Sequence, residues 1–531
     1  MSAADQPTGV APTRGAQHLL RSSVVVALGT GLSRLTGFAR TAVLAWVLGA
    51  GALAEAYNLA NNTPNLLYDL VLGGVLSATL VPVIVESSAK RDEDGINAVA
   101  TVITVILAIA TIATMVLAPI VIRLYNLTAP SGQAAEQARI AVPLLILFAP
   151  QVLLYGLTAL GTALLNARRS FAVPAFAPAL NNIVVICVLL ALPRLGDGDL
   201  TFQSVLDDRL LLLVLGLGTT AGIVAMTLVL VPSIIRADIR LRWNFAPRDP
   251  AVKEILRLSG WTFGYVLTNL VAYGIVQVLA NGVGDVTIYA YAWMFFQLPY
   301  GLWTVSVMTT YMPELAHDWT TNAMDSFRRR LDSGLRLILV VALPASVGLI
   351  LLSSPVVQLV FEHGQFDGVA AETTAHAVVA FLCGLPGFSL LLYAFRGFYA
   401  QRDTRTPFLV NLIESVVFVG IAIALVGRFE VVGLAAANSI AVTTFAAIAL
   451  VLLHRRVGGF LSRHGALDLA KILVATILMG VVVWALVRWV LPGDVLDLVG
   501  GAVAGAVVYA AAVSVLGIDE SKMLLARLRR R

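Results

Sequence analysis

The stretch GLSRLTGFAR, residues 31–40, places two arginines inside a run that otherwise reads as a membrane span over roughly residues 22–49. On a helix, Arg34 and Arg40 stand about 9 Å apart along the axis and about 120° apart around it. A charge at bilayer depth is unfavourable by roughly 2.5 kcal/mol or more. Either the run is not a span, or the protein is a membrane bundle with a polar interior in which these two charges have a task.

Composition selects the second. The chain has 531 residues, 59% hydrophobic and 13% charged, with mean hydropathy +0.87. Soluble domains are nearer about 45–50% apolar and about 25% charged. Almost every 20-residue window outside short polar links is apolar, so the chain reads as an all-α polytopic membrane protein. The alternating ten-residue segments of a membrane barrel are not seen. The basic residues, net charge +5, are scattered over links and not clustered on one domain, which argues against a nucleic-acid partner. Cys187 and Cys383 fall in apolar spans and read as small core residues, with no metal site. No A-x-A cleavage site follows the polar first twenty residues.

Fourteen spans are expected, at 22–49, 54–86, 97–125, 138–165, 171–193, 209–235, 254–281, 286–315, 331–361, 370–400, 405–427, 430–453, 468–490 and 495–517. With the N-terminus and alternate links assigned to the cytoplasm, those segments hold 28 of the 36 Lys+Arg, Arg396 and Arg336 among them. The opposite links hold six, and Arg34 and Arg40 are the remaining two. That asymmetry obeys the positive-inside rule and puts both termini in the cytoplasm of a multi-pass bacterial plasma-membrane protein.

A weak internal repeat supports two lobes of like orientation. ARRSFAVP (167–174) and AQRDTRTP (400–407) match at an offset of 233, while Pro82 and Pro313 occupy equivalent span ends at an offset of 231. The expected organisation is an N-terminal segment 1–21, helices 1–6 over 22–240, helices 7–12 over 241–457, an added pair over 458–517, and a basic tail 518–531. The tail, LLARLRRR, suits an anionic lipid surface.

No GxxxxGK[ST], HExxH, GxSxG or Cys/His cluster occurs, so neither ATP hydrolysis nor an enzyme is indicated, and no cofactor is implied. What remains is polarity at membrane depth. On span 1, Ser33, Gly37 and Arg40 share a face. Arg34 and Arg40 read either as anion ligands in a water-filled cavity, since guanidinium binds phosphate bidentately, or as partners of buried acids such as Asp69 or interfacial snorkels. Span 2 opens EAYNLANNTPNLLYDL, with Glu55 near its start and Asn58, Asn62, Asn65 and Asp69 near helical spacing; Pro64 loosens it. Such a stripe must face protein or water. Both cavity lining and inter-helix hydrogen bonding fit the asparagines.

SRLTGFAR (33–40), TPNLLYDLVLGGVLSATLVPV (63–83), FEHGQFD (361–367) and GFYAQRDTRTP (397–407), in that order, resemble the MurJ/MviN family of lipid II flippases, within the multidrug/oligosaccharidyl-lipid/polysaccharide exporter superfamily. The resemblance implies two six-helix lobes around a cationic cavity opened alternately to each side. It implies a lipid-linked pyrophosphate substrate, essential arginines matching Arg34 and Arg40, and a lipid-tail groove formed with spans 13–14. Departures are Thr41 in place of an acid, Glu55 in place of an aspartate, Tyr68 at a basic position, and YAWM (291–294) where the family has YADR, so that Met294 replaces a cavity arginine. Arg34 and Arg40 then carry more of any anion binding. Two other functions stay open: a cation-coupled exporter of drugs or other lipid-linked oligosaccharides, using Asp69 and Glu414, and a non-transporting membrane scaffold for cell-wall synthesis proteins.

Overall fold

The computed structural model describes residues 14–68, 84, 93–168, 170–196, 198, 200–258, 260–489 and 494–518. Among the described residues every regular element is helical. In chain order these are α1 (Arg14–Leu48), α2 (Ala52–Tyr68), α3 (Glu93–Tyr125), α4 (Ser131–Phe148), α5 (Pro150–Ala167), α6 (Ala172–Leu195), α7 (Phe202–Asp207), α8 (Arg209–Leu228), α9 (Val231–Arg236) and α10 (Pro250–Leu258). Then follow α11 (Gly260–Val283), α12 (Val286–Pro299), α13 (Val305–Thr320), α14 (Met324–Leu351), α15 (Ser353–Phe361), α16 (Gly368–Cys383), α17 (Leu385–Ala400), α18 (Arg405–Arg456), α19 (Arg463–Trp489) and α20 (Asp494–Val515).

Among the described residues nine helical segments are long and apolar enough to cross a membrane, or ten if α16 and α17, bent by 41°, form one broken span. The described helices fall on the expected spans without reaching the expected count of fourteen, and residues 69–83 of span 2 lie outside the described residues; a 30 Å hydrocarbon core needs only about 20 residues of helix. Short polar side chains start several helices where a span begins. Asp208 accepts the Leu210 N–H at 2.7 Å and Asp367 the Ala370 N–H at 2.8 Å, while Thr201 and Ser204 form a capping box on α7.

Spans 11 and 12 are two helices, as expected, which meet within α18 at a kink at Glu430 (φ 51, ψ −133). Between α12 and α13 the chain forms a π-turn, Tyr300–Thr304, directly after Pro299. Proline removes an N–H donor from the ladder, which favours such a widening.

Packing gathers the described helices into two groups. In the first, α6 lies between α1 and α8, and α2 lies on α4; in the second, α18 gathers α11, α16 and α17. The added pair α19–α20 packs on α14. A large apolar cluster around Tyr57, Phe148, Phe296, Phe361 and Phe381 spans both groups. Glycine matters where α17 meets α18: a Cβ on Gly384 or Gly387 would stand 2.6 or 2.7 Å from the Cα of Ser439 or Thr443. Small residues permit that approach where no hydrophobic drive operates between helices. On α3 the stripe Ile109, Ile112, Val116 and Ile120 is exposed, the inverse of a soluble helix and the pattern of a lipid-facing one. Cys187 and Cys383 also lie exposed on α6 and α16, outside the core expected for them.

Candidate functional site

The first helix is fixed by its neighbour. The Asn182 amide of α6 donates to the Ser33 carbonyl at 3.2 Å and to Thr36 Oγ1 at 3.1 Å. Asn182 thereby packs on the face of α1 that Ser33, Gly37 and Arg40 share, and Arg34 leaves the helix about 100° from Ser33. Arg34 is exposed and crosses to the second group of helices. A Cβ built on Gly301, in the π-turn, would sit 3.5 Å from Arg34 Cζ, so the guanidinium lies over bare backbone. Arg40 is half-buried and acts electrostatically on the Tyr57 hydroxyl of α2, which hydrogen-bonds Thr219 Oγ1 at 3.2 Å. Among the described residues neither arginine has a carboxylate within ion-pair distance. Asp69, the acid the sequence suggested for them, lies outside the described residues.

A third arginine joins the site from the other group. Arg396, counted with a link in the charge census, sits within α17, about one turn before its end. It is exposed and acts electrostatically on Tyr300, as Arg34 also does, and on Tyr265 and Tyr399. Arginines of both groups thus act electrostatically on one tyrosine. The missed signal was FRGFYA, which contains nothing to end a helix before Gln401.

The polar stripe of α2 does something more specific than line a cavity. The Glu55 carboxylate is buried and accepts the backbone N–H groups of Val286 (3.0 Å) and Thr287 (2.8 Å), the first turn of α12. An acid at a helix N-terminus satisfies orphan donors and meets the positive end of the helix dipole. Asn58 Nδ2 donates to Thr287 Oγ1 at 3.0 Å, and Asn62 Nδ2 to Gln277 Oε1 at 3.2 Å. Alongside, Asn281 donates to the Tyr125 carbonyl (3.0 Å) and Asn126 Oδ1 (2.7 Å), and Gln137 donates to Asn281 Oδ1 at 3.0 Å. The Gln365 N–H reaches the Trp46 carbonyl at 3.0 Å. These bonds form one seam across the two groups, at the end away from the basic links. Glu55, Asn58 and Asn62, expected as cavity ligands, have their described contacts in this seam. Asn65 stays within the first group, accepting from Tyr155 OH at 3.0 Å and donating to the Asn61 carbonyl at 3.0 Å.

An apolar groove opens between α14, α19 and α20, lined by Pro344, Gly348, Met479, Val483, Gly501 and Gly505. The pair is pinned to α14 by a buried ion pair, Arg336 Nη1 to Asp468 Oδ2 at 2.7 Å, with Lys471 Nζ at 3.0 Å from the same carboxylate. Arg336, expected in a link, is thus part of α14.

Two groups of helices, hydrogen-bonded at one end and carrying arginines between them, define a membrane transporter of the alternating-access type. The family model "Lipid II flippase MurJ" matches residues 44–501. The chain therefore belongs to the MurJ lipid II flippase family, a family of transporters and not of enzymes. It is 28% identical over 521 residues to "Probable lipid II flippase MurJ" of Haemophilus influenzae, covering 93% of this chain and 99% of that one. Against the like-named protein of Vibrio cholerae identity is 26%, with 94% and 97% covered. Among solved structures, "Lipid II flippase MurJ, inward closed conformation" superposes with TM-score 0.76 at 22% identity, over 93% of this chain and 98% of that chain. An inward-facing multidrug resistance transporter of the MATE family gives TM-score 0.66 at 15% identity, over 80% and 94%. These likenesses show that the chain shares its fold with both of those proteins.

Proposed function

We propose that this chain moves lipid II, a peptidoglycan precursor linked to its lipid through pyrophosphate, from the inner to the outer leaflet by alternating access without ATP hydrolysis. The carrying observation is the pair Arg34 and Arg40 on α1, between two lobes and without a described carboxylate. They hold the pyrophosphate, with Arg396 approaching from the other lobe, and Ser33, Asn65 and Asp69 are assigned to the same substrate site. Glu55, Asn58 and Asn62 serve the cycle by closing the outer end. The lipid tail lies in the groove of α14, α19 and α20. On this reading the lobes span 22–240 and 241–457, the added pair 458–517 and the tail 518–531. Both termini are cytoplasmic in the bacterial plasma membrane, and cell-wall synthesis proteins are the natural partners.

Arginine suits the task because it keeps its charge at any physiological pH and binds phosphate oxygens in pairs. An inside-negative potential acts on a cavity carrying such charges with about 2.3 kcal/mol per charge per 100 mV. The test is flipping of labelled lipid II by the purified protein in liposomes. Losing one bidentate, charge-assisted contact removes about 2–3 kcal/mol, so Arg40→Ala should slow flipping by roughly a hundredfold and Arg40→Lys by less. An unchanged rate in Arg40→Ala would sink the assignment. A cation-coupled cycle is the second reading, favoured by Glu414, buried on α18 one turn from the Asn269–Asn411 hydrogen bond (3.0 Å). It predicts that flipping depends on a sodium or proton gradient and that Glu414→Gln removes that dependence.

A further inference from the structure

We propose that residues 239–246, the strap joining the two lobes, form a membrane-interface anchor that docks onto anionic phospholipid headgroups of the leaflet on the basic side. The strap follows α9 and has no regular structure. It is fastened to α3 by its backbone: the Arg242 N–H donates to Asn97 Oδ1 at 2.8 Å and the Asn244 N–H to Thr101 Oγ1 at 3.0 Å. The Asn244 side chain adds a bond to the Asp94 carbonyl at 3.3 Å. Asn97 and Thr101 are both buried by it. They lie one helical turn apart, so the strap advances by about 6 Å along α3 from its start at Glu93. Ile239 and Ala246 pack onto the apolar cluster that α3 and α5 share.

What that fastening leaves outside is unusual for a link. Leu241, Trp243 and Phe245, alternate residues, are 45%, 72% and 56% exposed. Arg236, Arg240, Arg242 and Arg248 are exposed around them. Residues 236–253 carry five Lys/Arg against two Asp. Among the described residues Arg240 alone of these forms an ion pair within the strap, with Asp238 at 2.9 Å, itself exposed. The depth is set by α3. Its exposed apolar residues begin at Ile106, about 7.5 Å beyond Thr101. The tip at Trp243 and Phe245 therefore reaches the headgroup side of the hydrocarbon, where tryptophan and other amphipathic rings settle. Arginines at that level meet anionic lipid, each strengthening attachment by about fivefold. In water the same trio would be a bare apolar patch. The net positive charge around it favours lipid over an apolar protein face.

The full-length protein is placed in nanodiscs of phosphatidylcholine alone or with added phosphatidylglycerol. Subtracting the emission of Trp243→Phe from that of the unaltered chain isolates Trp243. The anchor predicts a blue-shifted difference spectrum, quenched more by lipids brominated near the carbonyl end of the chain than by aqueous iodide. Amide exchange over 239–246 should slow by about tenfold or more when phosphatidylglycerol is added, and Arg240→Gln with Arg242→Gln should abolish that change, as two lost arginines require. Water-like Trp243 emission, or equal exchange in both lipids, overturns the proposal. Protection that appears only when two protein copies share a disc overturns it in favour of self-association.

Discussion

Replacing Glu55 by alanine should open the seam between the lobes. Two backbone donors, the N–H groups of Val286 and Thr287 at 3.0 and 2.8 Å, lose a carboxylate that is buried with them. Each buried donor left unpaired is unfavourable by about 1–3 kcal/mol, and loss of the acid at the α12 N-terminus adds up to about 1 kcal/mol. Water entering the loosened seam recovers part of this, so the closed state should weaken by about 3 kcal/mol, roughly a hundredfold in population. Glu55→Gln keeps one acceptor and should shift the balance by about tenfold. The assay is pulsed electron spin resonance between labels at Leu127 and Val369, both exposed and on opposite sides of the seam, with Cys187 and Cys383 replaced by serine. The unaltered chain should give one short distance. Glu55→Ala should add a longer one, and Glu55→Gln a smaller share of it. Identical distance distributions in all three would refute the account of Glu55 as the clamp.

Other outcomes follow from the same geometry. Gly301→Ala should transport nearly normally, because its Cβ reaches only ordinary contact with Arg34 at 3.5 Å. Gly301→Leu should displace the guanidinium and reduce flipping in liposomes as far as Arg34→Ala does. Breaking a buried ion pair by removing one partner typically destabilises by about 3–5 kcal/mol. Arg336→Met should fall below that range in thermal unfolding, because Lys471 still pairs with Asp468. In the link before α12, burial first and then repulsion from Glu430 raise the Asp285 carboxyl to about 6, against the Val431 N–H, which lowers it. Its folded value lies above its unfolded one, so the native state holds this proton more tightly. Stability should therefore decline as pH rises from about 4 through 6, and Asp285→Asn should flatten that stretch of the melting-temperature profile.

The long helices were legible because a bilayer needs about 20 apolar residues and short links carry the charges. α3, α6 and α19 begin and end within a few residues of their expected spans. The break at Glu430 was read as a separation between two spans, and it is made by a single residue with positive φ, with no proline nearer than Pro407. The π-turn was hidden, since its formation depends on what packs beside it and not on a composition. At the site, Arg34 and Arg40 were visible as charges without a link to explain them. Arg396 was not, because four residues from a helix end look the same in sequence whether the side chain points to water or to a tyrosine. Glu55 was legible as a polar residue and illegible as a clamp. Its partners are main-chain N–H groups some 230 residues away, and a backbone donor has no signature in a sequence.

The π-turn at Tyr300–Thr304 holds one residue more than an α-helical turn would. Side chains on α13 are consequently out of phase with those on α12 by about 100°, the rotation of one residue. The span works as two half-shafts joined by a keyed coupling: the outer half engages Glu55, and the inner half is indexed separately. Deleting one residue inside the turn would re-key the coupling, turning α13 about its own axis while leaving the outer seam in register.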